Sequence, residues 1–211
     1  HPYFERFLSK FLYLPCLYMH FYIEHNFGHH LKVATPEDGA TARYSQTLYS
    51  FWFTSVTRQY ISAWRIQRKL LKSQELPFLS PKNDILWYHF IQPIYLILIY
   101  SLFSFKVMLF AIIIGVIAFL FLECINYIEH YGLQRFKTES GRYERVQPHH
   151  SWNSNSTASC GLLYNLPRHS YHHIKALCPY WQMKSCGDAP KLPYGYLIMI
   201  SLALVPHFFL E

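Results

Sequence analysis

The sequence predicts an all-α fold, an integral membrane helical bundle, and three observations point there. Two apolar runs long enough to cross a bilayer lie almost back to back, charge is sparse, and the segments flanking the runs are basic. The runs are Ile85 to Phe103, "ILWYHFIQPIYLILIYSLF", and Val107 to Ile125, "VMLFAIIIGVIAFLFLECI". Each matches the ~20 residues a helix needs to span the hydrocarbon core. Only "SFK" separates them, which reads as a tight hairpin. Of the 211 residues, 52% are hydrophobic and only 15% charged, against about a quarter charged in an ordinary soluble domain.

Two shorter apolar segments flank this pair. Phe11 to Ile23, "FLYLPCLYMHFYI", is interrupted by Pro15, and Tyr194 to Leu210, "YGYLIMISLALVPHFFL", by Pro206. Both are expected as further spans, with buried helices of a soluble protein as the competing reading. The expectation is one membrane domain over residues 1–211, with spans near 11–23, 85–103, 107–125 and 194–210.

The connecting segments fix an orientation. Lys32, Arg43, Arg58, Arg65, Arg68, Lys69, Lys72 and Lys82 precede the hairpin, and Arg135, Lys137, Arg142, Arg145, Arg168, Lys175, Lys184 and Lys191 follow it. Basic loops stay cytoplasmic, and a two-span hairpin returns both to one side. The net charge of +7 therefore belongs to an anionic membrane surface. A nucleic-acid partner is excluded, because no basic run is interleaved with exposed aromatics.

This topology gathers histidines at one cytoplasmic membrane edge: His25, His29, His30, His130, His169, His172 and His173. On a helix, His25 and His29 project from one face with His30 adjacent. His169, His172 and His173, at i, i+3 and i+4, form another such face. Neutral imidazole is a common ligand for zinc, copper, iron and nickel. Seven exceed what one tetrahedral site can use, about four ligands, so they suit two metal ions. The alternative is a structural or pH-sensing cluster, which without metal would repel itself when charged. The isolated His20, His89 and His207 read as structural. Glu24 and Glu129, each preceding a candidate ligand, fit the carboxylate that usually takes a ligating imidazole's second N–H; each could equally be an ordinary interfacial acid. "PHHSWNSNS", from Pro148 to Ser156, adds His149, His150 and Asn153 as a further ligand or as support.

Cys16, Cys124, Cys160, Cys178 and Cys186 contain no CxxC pair, so no zinc ribbon or built-in rubredoxin-like iron centre is expected. If the site does redox chemistry, its electrons come from a separate protein. Neither a Gly-rich nucleotide fingerprint nor a nucleophile elbow is present.

Four stretches together resemble a known family: "EHNFGHH" (24 to 30), "NYIEHYGL" (126 to 133), "GRYERVQPHHSWNSN" (141 to 155) and "LPRHSYHH" (166 to 173). They are similar to the membrane alkane hydroxylases, the alkane 1-monooxygenases, within the histidine-box superfamily that includes integral-membrane fatty acyl desaturases. "VATPEDGATAR" (33 to 43) extends the likeness. The resemblance implies a non-haem di-iron enzyme, holding two iron ions, in the bacterial inner membrane. It would oxidise the terminal methyl of an n-alkane to a primary alcohol with O₂ and electrons from rubredoxin and its NADH-dependent reductase. It also implies His25, His29, His30, His130, His169, His172 and His173 as the iron ligands.

Three departures accompany the likeness. The family's first histidine box is missing and His1 does not restore it; Pro167 and Tyr171 replace the usual residues of the last box; and the chain stops soon after its final apolar segment. An N-terminally truncated fragment, inactive alone, is the expectation. The nearer alternative is a related histidine-box oxygenase acting on xylene-type methylarenes or fatty acyl chains. The more distant one is a non-enzymatic membrane metal-binding protein, disfavoured because transporters place ion sites near the bilayer midplane.

Overall fold

A computed structural model describes residues 2–210, among which regular structure is helical apart from two isolated bridges, Lys137 with Tyr143 and Asn153 with Lys191. His1 lies outside the described residues. In chain order the helices are α1 (Pro2–Leu12), α2 (Phe21–Glu24), a π-helix (His25–His29), α3 (His30–Lys32), α4 (Leu48–Ser73), α5 (Asp84–Leu102) and α6 (Phe105–His130). Then come α7 (Thr157–Leu162), α8 (His169–Ile174), α9 (Tyr196–Ala203) and α10 (Pro206–Leu210). The chain divides into two compact units, one of His1–Gly28 and Thr57–Leu122, the other of His29–Val56 and Glu123–Glu211.

The first unit contains the apolar hairpin. Asn83 starts α5 by accepting the Leu86 N–H on its side-chain oxygen at 3.4 Å, the usual device for satisfying an orphan donor at a helix N-terminus. Ser104 caps the start of α6 in the same way, accepting the Val107 N–H at 3.3 Å. Both helices are long and apolar enough to cross a membrane, with mean hydropathy 1.5 and 2.8. A core helix of a soluble protein would hide its apolar side chains. Instead Ile94, Ile97, Leu98, Phe110, Ile114 and Ile117 are each more than half exposed, the pattern of a lipid-facing surface. Around the polar end of α5, Met19, Ile23, Ala63, Ile85 and Tyr88 form a small buried core.

The outer apolar segments are not single helices. After Leu12 the chain passes through turns before α2 begins at Phe21. Pro15 cannot donate to a helical ladder, and Leu17 adopts a positive φ of 53°, a left-handed conformation that stops a right-handed helix. At the other end, Pro206 separates α9 from α10.

In the second unit, a buried core of Leu48, Phe51, Tyr127, Ile128, Tyr196 and Ile200 holds the last turns of α6 against α9 and the start of α4. The Tyr127 hydroxyl donates to the Gln46 carbonyl at 2.6 Å, which satisfies the phenol where its ring is buried. The consequence for function is positional: His130, the last residue of α6, is fully buried beneath this packing.

Candidate metal centre

Four histidines from three separated stretches meet in the second unit. His29 ends the π-helix, His130 ends α6, and His169 and His173 lie one turn apart on α8. Their ligand atoms all fall within 4.8 Å of one another, and all four residues are buried. His169 Nε2 lies 3.1 Å from His130 Nε2 and 2.9 Å from His173 Nε2. Ring centroids of His29 stand 4.8 Å from His130 and 4.9 Å from His173. That separation suits four imidazole nitrogens around one ion at a metal–nitrogen distance near ~2.1 Å.

Asp38 orients one of these rings and Glu129 stands beside a second. Asp38 Oδ2 lies 2.9 Å from His29 Nδ1, with both side chains buried. The Thr41 hydroxyl donates to the same oxygen at 2.6 Å, and the Ala40 N–H donates to Oδ1 at 3.2 Å. Glu129 Oε1 lies 3.2 Å from His169 Nδ1 and accepts the Tyr196 hydroxyl at 2.9 Å. A carboxylate on Nδ1 fixes the tautomer with its lone pair on Nε2, and Nε2 is the nitrogen that faces the cluster. Burial would push Asp38 up, but the adjacent His29 and the hydrogen bonds from His29 and Thr41 hold it below the usual carboxylate range. It is therefore an anion at neutral pH.

Burial works in the opposite direction on the imidazoles. His173 is held well below its ordinary pKa by burial and then by His169. Burial, with His172 and His29 adding, lowers His30 to about 3, and burial then His29 lower His172 to about 4. Neutral rings keep the lone pairs that a metal requires. His30 and His172 pair at 4.7 Å between centroids, and His30 stands 4.8 Å from His173.

His25 lies in the first unit at the head of the π-helix, where its ring stacks on Phe21 at 4.9 Å. The spacing of His25 and His29 predicts an α-helical face; the segment is instead a π-helix, a rare form found mostly at functional sites. Gly28 accounts for part of this local packing. A Cβ there would stand 2.6 Å from Glu24 Oε1 and 2.8 Å from Ile66 Cδ1, so any side chain would force those two to shift. Glu24 is buried against that glycine.

The segment "PHHSWNSN" acts as a clamp on the ligand-bearing elements. Asn153 Oδ1 accepts the Ser170 N–H at 2.8 Å, and the Ser170 hydroxyl donates to the carbonyls of Pro148 and Ser151 at 2.7 and 2.9 Å. Ser170 sits between the ligand candidates of α8. At the other side of the clamp, the Trp152 N–H donates to the Glu129 carbonyl at 2.8 Å, and its indole donates to the Tyr131 carbonyl at 2.9 Å. Asn153 thus positions α8, while Trp152 fixes the end of α6. His150 is buried nearby and His149 exposed; both stand apart from the four-histidine cluster, beside Glu144.

Sequence reasoning missed Asp38, Tyr196 and Ser170 as parts of the site. Asp38 is a lone acid in a Pro- and Gly-containing turn, and nothing local marks it; Tyr196 and Ser170 carry no signal beyond ordinary apolar and box sequence. The isolated His89 is structural, as expected. Its Nδ1 lies 2.7 Å from the Ile85 carbonyl and its Nε2 2.8 Å from the Tyr60 hydroxyl.

Comparison with known proteins settles the family. The fatty acid desaturase family model matches residues 1–203. The chain belongs to the fatty acid desaturase family. Among relatives of this desaturase-family chain is alkane 1-monooxygenase 2 of Pseudomonas aeruginosa, 40% identical over 205 residues that cover 97% of the chain and 54% of the relative. Alkane 1-monooxygenase of Ectopseudomonas oleovorans is 38% identical over 206 residues, 98% of the chain and 51% of the relative. The xylene/toluene monooxygenase hydroxylase component XylM of Pseudomonas putida is 28% identical over 190 residues, covering 87% and 48%. The chain spans about half the length of the curated relatives it matches. The desaturase-family assignment, the two membrane-length helices and the buried histidine cluster together describe a membrane protein able to hold metal.

Proposed function

We propose that this chain carries the metal-binding part of a non-haem di-iron monooxygenase that hydroxylates the terminal methyl of n-alkanes. The observation that carries the proposal is the convergence of His29, His130, His169 and His173, buried, with ligand atoms within 4.8 Å. The alkane 1-monooxygenase relatives support the substrate class. On this reading His25, His29, His30, His130, His169, His172 and His173 hold two iron ions. Bound iron would supply the oxidising power to activate O₂ against an inert C–H bond, which acid–base groups alone cannot attack.

The protein's own residues have definable tasks. Asp38 holds Nδ1 of His29 so that Nε2 faces inward, and Glu129, which accepts the Tyr196 hydroxyl, lies beside Nδ1 of His169. Burial favours the neutral form of His30, His172 and His173 and excludes water, which protects a reactive site from side reactions. An alkane has no hydrogen-bonding handle, so its binding rests on apolar burial, roughly 0.8 kcal/mol per CH₂. The exposed apolar flanks of α5 and α6 fit a protein that meets such a substrate in the bilayer. On the same reading, which rests on the likeness to alkane 1-monooxygenases, a separate protein, rubredoxin with its NADH-dependent reductase, supplies the electrons. The enzyme lies in the bacterial inner membrane with the metal site towards the cytoplasm, where the basic segments favour placement.

A second reading, a methylarene hydroxylase, draws on the 28% identity to XylM. One experiment addresses both. The full-length protein is purified, its iron measured, and octane or xylene supplied with O₂, rubredoxin and the reductase. Iron of about two per chain, as two imidazole-rich sites require, with 1-octanol as product, is expected. Methylbenzyl alcohol alone favours the second reading. Zinc or no metal, with no product from either hydrocarbon, overturns both.

A further inference from the structure

The first unit contains a cavity of about 190 Å³ that the metal chemistry does not use. α1 contributes Arg6 and Lys10, and Lys82 reaches it from the turn before α5. Asp84 is the carboxylate there, and Lys10 Nζ is bound to its Oδ2 at 2.7 Å. Among the described residues, the side chains of Arg6 and Lys82 have no ion-pair or hydrogen-bond partner. Three cations therefore face one carboxylate, and the excess positive charge sits on the two side chains still available. Gln67 and Gln74 add polar lining, whereas Ile23, Phe27 and Leu71 make the remainder apolar.

The position sharpens the chemistry. Asp84 is the first residue of the membrane-length helix α5, so the cavity opens at the polar end of that helix. Trp87, half exposed one turn later, donates its indole N–H to the Pro81 carbonyl at 2.8 Å. A half-exposed tryptophan near the end of a membrane-length helix is typical of the membrane–water interface. A guanidinium and an ammonium at that depth, over a half-apolar floor, match a phosphate ester with a hydrocarbon-bearing glycerol attached. Arg recognises phosphate oxygens through its planar fork, and Lys adds a point charge.

We propose that this cavity is a phosphate-binding site that takes the headgroup of an anionic phospholipid, held by Arg6 and Lys82 while Lys10 and Asp84 fix its wall. Free phosphate carries the same chemistry and is the second source to be distinguished. The full chain is purified in mild detergent and exchanged into phosphatidylglycerol or phosphatidylcholine nanodiscs. Retained lipid is then counted by native mass spectrometry after re-extraction. The double variant Arg6→Gln/Lys82→Gln is compared with Lys69→Gln, an exposed cation on α4 outside the cavity, and all are checked by thermal melting.

Retention of phosphatidylglycerol but not phosphatidylcholine is expected, falling about tenfold or more in the double variant, because both charge-assisted hydrogen bonds to the phosphate are lost. It should be unchanged in Lys69→Gln. If no lipid is retained but inorganic phosphate raises the melting temperature of the parent and not of the double variant, the site stands with free phosphate as its source. Equal lipid retention and equal phosphate response in the parent and the double variant overturn the proposal. Either result leaves the metal centre untouched, because none of these residues is a ligand candidate.

Discussion

Two histidine–carboxylate groups in the second unit look alike as lists of residues and differ in what their rings can do. One is His29, His130, His169 and His173 with Asp38 and Glu129; the other is Glu144, His149 and His150. In the first, Asp38 takes Nδ1 of His29, and the Nε2 atoms of His130, His169 and His173 meet one another. In the second, His150 Nδ1 accepts the Gln147 N–H at 2.9 Å, which forces the neutral ring to carry its proton on Nε2. That nitrogen faces Glu144 Oε1 at 3.4 Å. Nδ1 of His150 is thus committed to the backbone turn, its Nε2 carries the proton beside the acid, and His149 is exposed. The difference teaches that a metal centre is recognised by which nitrogen is left over, rather than by how many histidines adjoin a carboxylate.

Substitutions sharpen that contrast, beginning with the largest effect. His130→Ala should abolish turnover and strip iron from the full-length protein, because it removes a fully buried donor that meets both α8 ligands; full iron and activity in this variant would show that α6 does not supply a ligand. Asp38→Asn keeps the shape of the turn but removes the charge on His29, so metal affinity should fall about 10–100-fold. Competition with a chelator reads this directly, and an unchanged affinity would make Asp38 a purely structural turn residue. Gly28→Ala should cost about 1–3 kcal/mol through overpacking, since Glu24 and Ile66 stand where the methyl would go. The signature is a lower melting temperature in the apoprotein as well as in the iron-loaded form. His150→Ala is expected to cost about 1 kcal/mol, the worth of a helix cap, with iron content unchanged. Loss of iron on that substitution would place His150 among the ligands and erase the distinction between the two groups.

Much of this was legible in the amino-acid sequence, and the reasons for the rest are physical. Spans α5 and α6 are legible because eighteen or more apolar residues have few other uses. The clusters around His29, His130 and His169 are legible because imidazole is costly to gather without purpose. The π-helix at His25–His29 is not, since the close packing there, Gly28 under Glu24 and against Ile66, involves a residue far along the chain. Asp38 is hidden for a similar reason: its role exists only once the turn after α3 folds back on His29. The segments 11–23 and 194–210 read as apolar runs, yet Pro15 and Pro206 break them into shorter pieces, an effect hydropathy does not register. The proline in "LPRHSYHH" proves compatible with the box. Pro167 is buried, its carbonyl accepts the Ser154 N–H at 2.9 Å, and α8 starts two residues later.

The most direct measurement is the X-ray absorption spectrum of iron in the full-length protein. The account predicts a first shell dominated by nitrogen near ~2.1 Å with the outer-shell scattering of several imidazole rings. A shell of mainly carboxylate and water oxygens, without imidazole scattering, would contradict it.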